Sequence, residues 1–439
     1  MLRIQRGFDV PEVGDLQTME DCKESHMQLI VFCPPKILLQ HSAASWSAAL
    51  GQGGMLLSCA SRSQEIAAHL GHTVRFQLFD NFNDSALVEI DVYELARELH
   101  APLCVALAEI DVLRVARIND RLGITLGAED RASFYRDKFL MKQRTRDCGF
   151  AIAEMASISN ATEAIRFSER FGFPVVIKPR DGRGSNGVEV LDDAQQLREW
   201  LAGRTSSTFH NLMIESYVRG SHYIVNGLYI DGRPILVSPV RVMTSALDFL
   251  GGKSHDLHML DADNPMRERL VRYARSLVED VLPSDPTMLF HLELFVDGND
   301  EIVLCEIASR LGGVFFNQEL TQAWGIDPRM SFLRALHDPF YRPEPMAAPL
   351  RMVGHISIPP RVGLLRDVPQ TCPLEGVLEY RISAKKMTFY GGMEFTNSEI
   401  LNAIVAGQDE AELRDKLHQV EAWFHESCDW SGSEIAAVI

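Results

Sequence analysis

The stretch Phe290–Gly313, FHLELFVDGNDEIVLCEIASRLGG, constrains the fold more than any other part of the chain. Two apolar, β-prone runs flank Asp297-Gly298-Asn299-Asp300, whose residue types favour a tight reversal, so the pattern predicts a β-hairpin. Each run carries one glutamate, Glu293 before the turn and Glu306 after it. With the turn centred on Asn299-Asp300, the two pair across the ladder and share a face, where bare carboxylates repel. Arg310 has the same side-chain parity as Glu306 if the strand runs on that far. Two carboxylates, a guanidinium and Gly312-Gly313 suggest a Mg²⁺ site at which phosphate is handled, since Mg²⁺ takes one or two protein carboxylates, waters and substrate phosphates. An exposed hairpin with two solvated glutamates and a surface arginine is the competing reading.

Upstream, short apolar runs alternate with helical patterns. MQLIVFCPP (27–35), VRFQLFD (74–80) and LCVALAEI (103–110) read as strands, and SRSQEIAAHLGH (61–72) and DVLRVARINDRLG as helices. This alternation predicts a parallel α/β layer. The cluster Gly51, Gly53, Gly54 does not follow a strand as a GxGxxG and reads as a loop. From Glu129, EDRASFYRDKFLMKQRTRDCG reads as one long helix with Lys138 in its middle, and SNATEAIRFSERFG (159–172) as another.

FPVVIKPRDGRGSNGVEVL (173–191) is the second informative stretch. A strand ending at Lys178 leads into a loop with Gly182, Gly184, Ser185 and Gly187, and a strand follows. Glycines so spaced let successive N–H groups face one anion. With Lys178, Arg180 and Arg183 around it, the loop reads as a phosphate binder rather than a merely flexible turn. No Walker A pattern occurs in the chain. Strands in LMIESYVRGSHYIVNGLYIDGRPILVSPV (212–240) turn at Asp231-Gly232, and PMRERLVRYARSLVEDVL is a helix. Helices in NQELTQAWGIDPRMSFLRAL precede a proline-rich linker at 338–349, and strands with a long amphipathic helix close the chain.

The 439 residues are enough for several domains, and 43 basic against 60 acidic side chains give a net charge of −17. That balance argues against a nucleic-acid or anionic-membrane partner. The eight cysteines are scattered without a CxxC pair, which points to reduced thiols in a cytoplasmic protein. No apolar run reaches membrane-spanning length, and the first residues lack a signal-peptide core.

Asp-Lys-x-x-Met at 137–141, Val-Ile-Lys-Pro at 176–179, the glycine loop, Ile-Glu-x-Tyr-Val near 214–218 and the Glu…Glu-x-x-x-Arg hairpin occur in one order. From about Pro102 to about Asp327 the chain thereby resembles the ATP-grasp enzymes, and within them the L-amino-acid (dipeptide) ligases. The resemblance implies an α/β chain, α+β in parts, with four units. These are an N-terminal Rossmann-like parallel domain (1–127), a glycine-loop lid (128–220), a large subdomain with the metal hairpin (221–337) and a C-terminal part with a mixed sheet (338–439).

It also implies ATP and Mg²⁺, with Mn²⁺ as a substitute, and small-molecule substrates; a homodimer is left open. Lys138 and Lys178 would meet ATP phosphates under the Gly182–Gly187 loop. Glu215 would meet the adenine amino group, and the backbone of Ser216, Tyr217 and Val218 the ring edge. Glu293 and Glu306 would hold Mg²⁺, and Arg310 would stabilise the transferred phosphoryl. Three features depart from the family pattern: Ala308 where many members have Asn, His222 where a ribose-binding glutamate is common, and 242–264, which matches nothing. That last segment, with Lys253, His255 and His258, lies where it could shape a substrate pocket or be a solvated loop. The implied reaction joins a carboxylate and an amine through an acyl phosphate. The alternatives are activation of bicarbonate or formate by a biotin-carboxylase-like or nucleotide-biosynthetic enzyme, and non-catalytic ATP binding.

Overall fold

The computed structural model describes residues 27–100, 102–313, 315–393 and 398–431; the opening segment and Cys22 lie outside this range. Strands β1 (Leu29–Phe32), β2 (Met55–Cys59), β3 (Arg75–Phe79) and β4 (Leu103–Ala106) form a sheet of order β3-β2-β1-β4. Every pair in it is parallel. Leu29 and Val31 enter one core and Ile30 and Phe32 another, as a sheet covered on both faces requires. The order reverses between β1 and β4, so their carboxyl ends open a crevice of the kind that takes ligands.

The helix expected from Glu129 is broken into Glu129–Ala132, a 3₁₀ turn at Ser133–Tyr135 and a helix at Lys138–Asp147. Asp137 causes the restart, because its carboxylate accepts from the Phe139 and Leu140 N–H groups and caps a new helix. Lys138 is therefore the first residue of a helix and not a mid-helix lysine. Beyond it, β5 (Met155–Ile158), β6 (Val175–Pro179), β7 (Glu189–Leu191) and β8 (Leu212–Ser216) form an antiparallel sheet of order β5-β8-β6-β7. The glycine loop joins β6 to β7.

The largest layer draws on β9 (Gly220–Ile230), β10 (Arg233–Val242), β11 (His255–Met259), β12 (Met288–Asp297), β13 (Ile302–Ala308) and β14 (Met352–Ile358). After β14 come β15 (Gly363–Asp367), β16 (Val377–Ile382), β17 (Thr388–Tyr390), β18 (Leu401–Gly407) and β19 (Asp429–Ser431). The eight-stranded sheet runs β13-β12-β9-β10-β11-β14-β18-β16, and β17, β15 and β19 form a small separate one. All pairings in both are antiparallel, so parallel and antiparallel strands are segregated between sheets and not mixed within one.

The eight-stranded sheet continues across the proline-rich stretch at 338–349 without a break. That stretch is also strapped down, with Met346 N–H donating to Ile235 O at 2.8 Å and, just beyond it, Leu350 N–H to Ala323 O at 2.8 Å. The helix Phe316–Trp324 covers the sheet face that carries the hairpin glutamates, and Glu410–Ser427 packs over β14 and β18 on the other. Among the described residues no helix is long and apolar enough to cross a membrane.

Candidate active site

The hairpin forms, and Glu293 stands opposite Glu306 in its register. The route to that pairing differs from a turn centred on Asn299-Asp300. Val296 pairs with Ile302 and Leu294 with Leu304, which centres the turn on Asn299; a bulge at Cys305 then shifts the ladder so that Glu293 meets Glu306. In this structure cationic and imidazole groups flank both carboxylates. Lys138 Nζ lies 3.0 Å from Glu306 Oε2, His222 Nε2 3.3 Å from Glu293 Oε2, and His291 Nε2 3.2 Å from Glu293 Oε1. Burial pushes the Glu293 carboxyl up, but the neighbouring His222 and His291 rings outweigh it and hold it well below the usual carboxylate range.

Arg310 does not sit on the strand, since β13 ends at Ala308. It turns to the N-terminal layer, where it forms an ion pair with Glu109 just past β4, while Arg136 holds the other Glu109 oxygen. Burial raises the Glu109 carboxyl, and Arg310, Arg136 and Lys138 overcome it to bring it down to about 2. Gly312 fits where no side chain can: a Cβ there would lie 2.7 Å from the His291 ring and collide with Phe316.

Lys178 on β6 and Glu215 on β8 form a buried ion pair, diagonal in a register that sets Glu215 opposite Val176. Lys142 Nζ reaches the second Glu215 oxygen at 2.5 Å. Burial pushes the Glu215 carboxyl up, yet the two ammoniums bring it down to about 2. They share one partner unequally. Burial lowers the ammonium of Lys142, whereas at Lys178 the pull of Glu215 exceeds the desolvation and raises it. The Glu215 carboxylate expected at the adenine amino group is thus engaged by lysines. Of the three residues expected at the ring edge, Ser216 N–H donates to Glu154 O and Tyr217 N–H to Pro174 O. Among the described residues Val218 alone of the three keeps its N–H out of a backbone bond.

The glycine loop turns through Gly184, Ser185 and Gly187, with φ of 55°, 58° and 72°. Its base is tied to the Lys138–Asp147 helix, since Lys138 N–H donates to Arg180 O at 2.8 Å and Lys138 Nζ to Gly182 O at 2.6 Å. Arg180, expected to serve the phosphates, instead grips Asp137. The segment 242–264 splits by strand parity. His255 faces the hairpin side near His355, His222 and Glu293, and burial lowers it to about 4. His258 points to the other face near Glu410 and Arg414, and Lys253 pairs with Asp248 at 2.7 Å on the surface.

Three neighbours were missed in the sequence though each carried a signal. Lys142 is one helical turn past Lys138. His291 shares strand parity with Glu293 and stands directly opposite Ala308, its Nδ1 2.9 Å from Asn226 Oδ1. Glu109 lies near the carboxyl end of the run 103–110 that reads as a strand, where site residues gather.

The donors suit a hard cation. Glu293 and Glu306 offer paired carboxylates on one face. That matches an ion held by one or two carboxylates with water and substrate phosphate.

Residues 171–318 match the family described as the ATP-grasp domain. The chain carries an ATP-grasp domain. An L-arginine-specific L-amino acid ligase of Bacillus subtilis is 20% identical over 358 residues, covering 79% of this chain and 85% of that protein. The solved L-amino acid ligase of Bacillus licheniformis superposes with a TM-score of 0.73 at 14% identity, covering 93% of this chain and 100% of that one. The biotin carboxylase domain of the Hydrogenobacter thermophilus 2-oxoglutarate carboxylase gives 0.66 at 14% identity, covering 93% and 92%. The architecture around the hairpin is thus the ATP-grasp fold.

Proposed function

We propose that this ATP-grasp chain is an ATP-dependent carboxylate–amine ligase that joins two amino acids, or an amino acid and a small carboxylic acid. The observation that carries it is the in-register pair Glu293 and Glu306, with Lys138 beside it and Arg310 turned to the crevice at β4. The relatives named as L-amino acid ligases support the same class, and the biotin carboxylase domain was solved with MgADP and bicarbonate.

In this reading Glu293 and Glu306 hold Mg²⁺, which supplies charge neutralisation for the phosphates. Lys138 and Lys178 flank the phosphates, and the 182–187 loop covers them. A substrate carboxylate oxygen attacks the γ-phosphorus of ATP, the bond to the bridging oxygen breaks, and ADP leaves an acyl phosphate. A neutral amine then attacks the acyl carbon; phosphate departs and the amine proton is released. Arg310 meets the negative charge that grows on the phosphoryl oxygens and on the tetrahedral carbon. The closed loop keeps water from the acyl phosphate.

The test is a screen of amino-acid pairs with Mg-ATP, reading ADP, phosphate and the mass of the amide product. Release that needs both amino acids and yields the amide supports the assignment. Release dependent on bicarbonate instead would transfer the chain to the carboxylase-like reading. ATP binding without turnover on any pair would leave a nucleotide-binding protein.

A further inference from the structure

A cavity of about 410 Å³ lies away from the hairpin, between the end of β10, the start of β11, the end of β14 and the helix Glu410–Ser427. Its walls include Ser254, Asp256, Arg361, His418, Glu421 and His425. Asp256 alternates with His255 along β11, so it faces the opposite side of the sheet from the hairpin glutamates. Nothing in the ligase chemistry calls on this side.

The walls carry both signs of charge, and unspent bonding capacity. Asp256 is 7% exposed; burial raises its carboxyl, Thr244 Oγ1 donates to it at 2.9 Å, and Glu421 lies close enough to raise it further. Arg361 stands at the exposed mouth and makes no ion pair among the described residues; its charge acts on His425 and Cys428. Ser254 is 8% exposed, lines the cavity, and its Oγ has no hydrogen-bond partner. A buried hydroxyl without a partner has lost its bond to water, and a ligand group can restore it.

A simple anion would meet Asp256 and Glu421, and a metal cation would meet Arg361. A molecule bearing both charges suits both ends. We propose that this cavity is a second binding site, for a small zwitterion of the amino-acid or dipeptide class. Its ammonium lies at Asp256 and Glu421 and its carboxylate at Arg361, with Ser254 bonding between them. The site is independent of the ligase reading, because its ligand contacts none of the hairpin residues.

The experiment titrates the full chain, without nucleotide, with glycine, L-alanine and L-alanyl-L-alanine by calorimetry, using acetate, ethylammonium and inorganic phosphate as single-charge probes. At least one zwitterion binds, and Arg361→Ala and Arg361→Glu each weaken it about tenfold or more, as loss of a charge-assisted contact should. Glu306→Gln leaves that binding unchanged, which separates the site from the hairpin. Arg361 is exposed, so its variants keep the fold, and melting curves check the companion variant Asp256→Asn. No binding by any zwitterion, equal affinity in both Arg361 variants, or acetate or phosphate binding as tightly as the amino acids would each overturn the proposal.

Discussion

At the scale of single residues, the site is a set of charges whose partners change when substrate enters. Glu306 neutralises Lys138 in this structure, and Lys138 keeps a second bond to Gly182 O at 2.6 Å. Glu306→Gln should therefore cost about 1 kcal/mol of stability or less, while phosphate release falls by orders of magnitude. Thermal melting and a turnover assay measure the two effects side by side. Glu215 gives a pH signature. Its carboxyl sits near 2 when folded, against an ordinary value of 4.5, so the stability it confers is present above about 4.5 and disappears as pH falls toward 2. Glu215→Gln leaves two buried ammoniums short of a counter-charge, a loss on the order of 3–5 kcal/mol at neutral pH. Melting wild type and variant at neutral pH and near pH 3 should show the gap narrowing with acid.

Elements decide how much of this could be read from the chain. The hairpin was legible because Asp297-Gly298-Asn299-Asp300 and the two apolar runs specify it locally, and Glu293 does face Glu306. The Cys305 bulge was not legible, since nothing in the residue types distinguishes an extra strand residue from a turn placed differently. Lys138 was misplaced because a run of helix formers hid the cap at Asp137, and one side chain's bonds to Phe139 and Leu140 outweigh propensity. The destination of Arg310 depends on Glu109, which is distant in sequence, and no periodicity reports such a pair. The loop offers a test at this scale. Gly187 has φ 72° and a Cβ there would come 3.1 Å from Pro179, so Gly187→Val should distort the loop. The expected result is a KM for ATP raised several-fold with the melting temperature nearly unchanged, because the hairpin core is untouched.

For the whole molecule, Glu109 is the joint between the parallel layer and the hairpin, since it binds Arg310 from one and Arg136 beside the loop. Glu109→Gln should lower kcat more than it raises the KM for ATP, because Arg310 loses its orientation while the nucleotide lysines keep theirs. Steady-state kinetics with ATP varied at saturating substrates would measure the split, and equal effects on both constants would contradict it. The eight-stranded sheet provides the other test. A chain stopped at residue 337 lacks β14, β16 and β18, which leaves β11 with an open edge. It should aggregate where the full chain does not, as size-exclusion chromatography would show.

That continuity has a consequence during synthesis. β11 ends at Met259, but its neighbour β14 begins only at Met352, after the hairpin and three helices have been made. At about 5–20 residues per second the ribosome takes on the order of 5–20 s to supply that stretch. Throughout this interval the nascent chain presents the free side of β11 to the cell, so the later strands of the sheet serve also as the cover that ends a period of vulnerability.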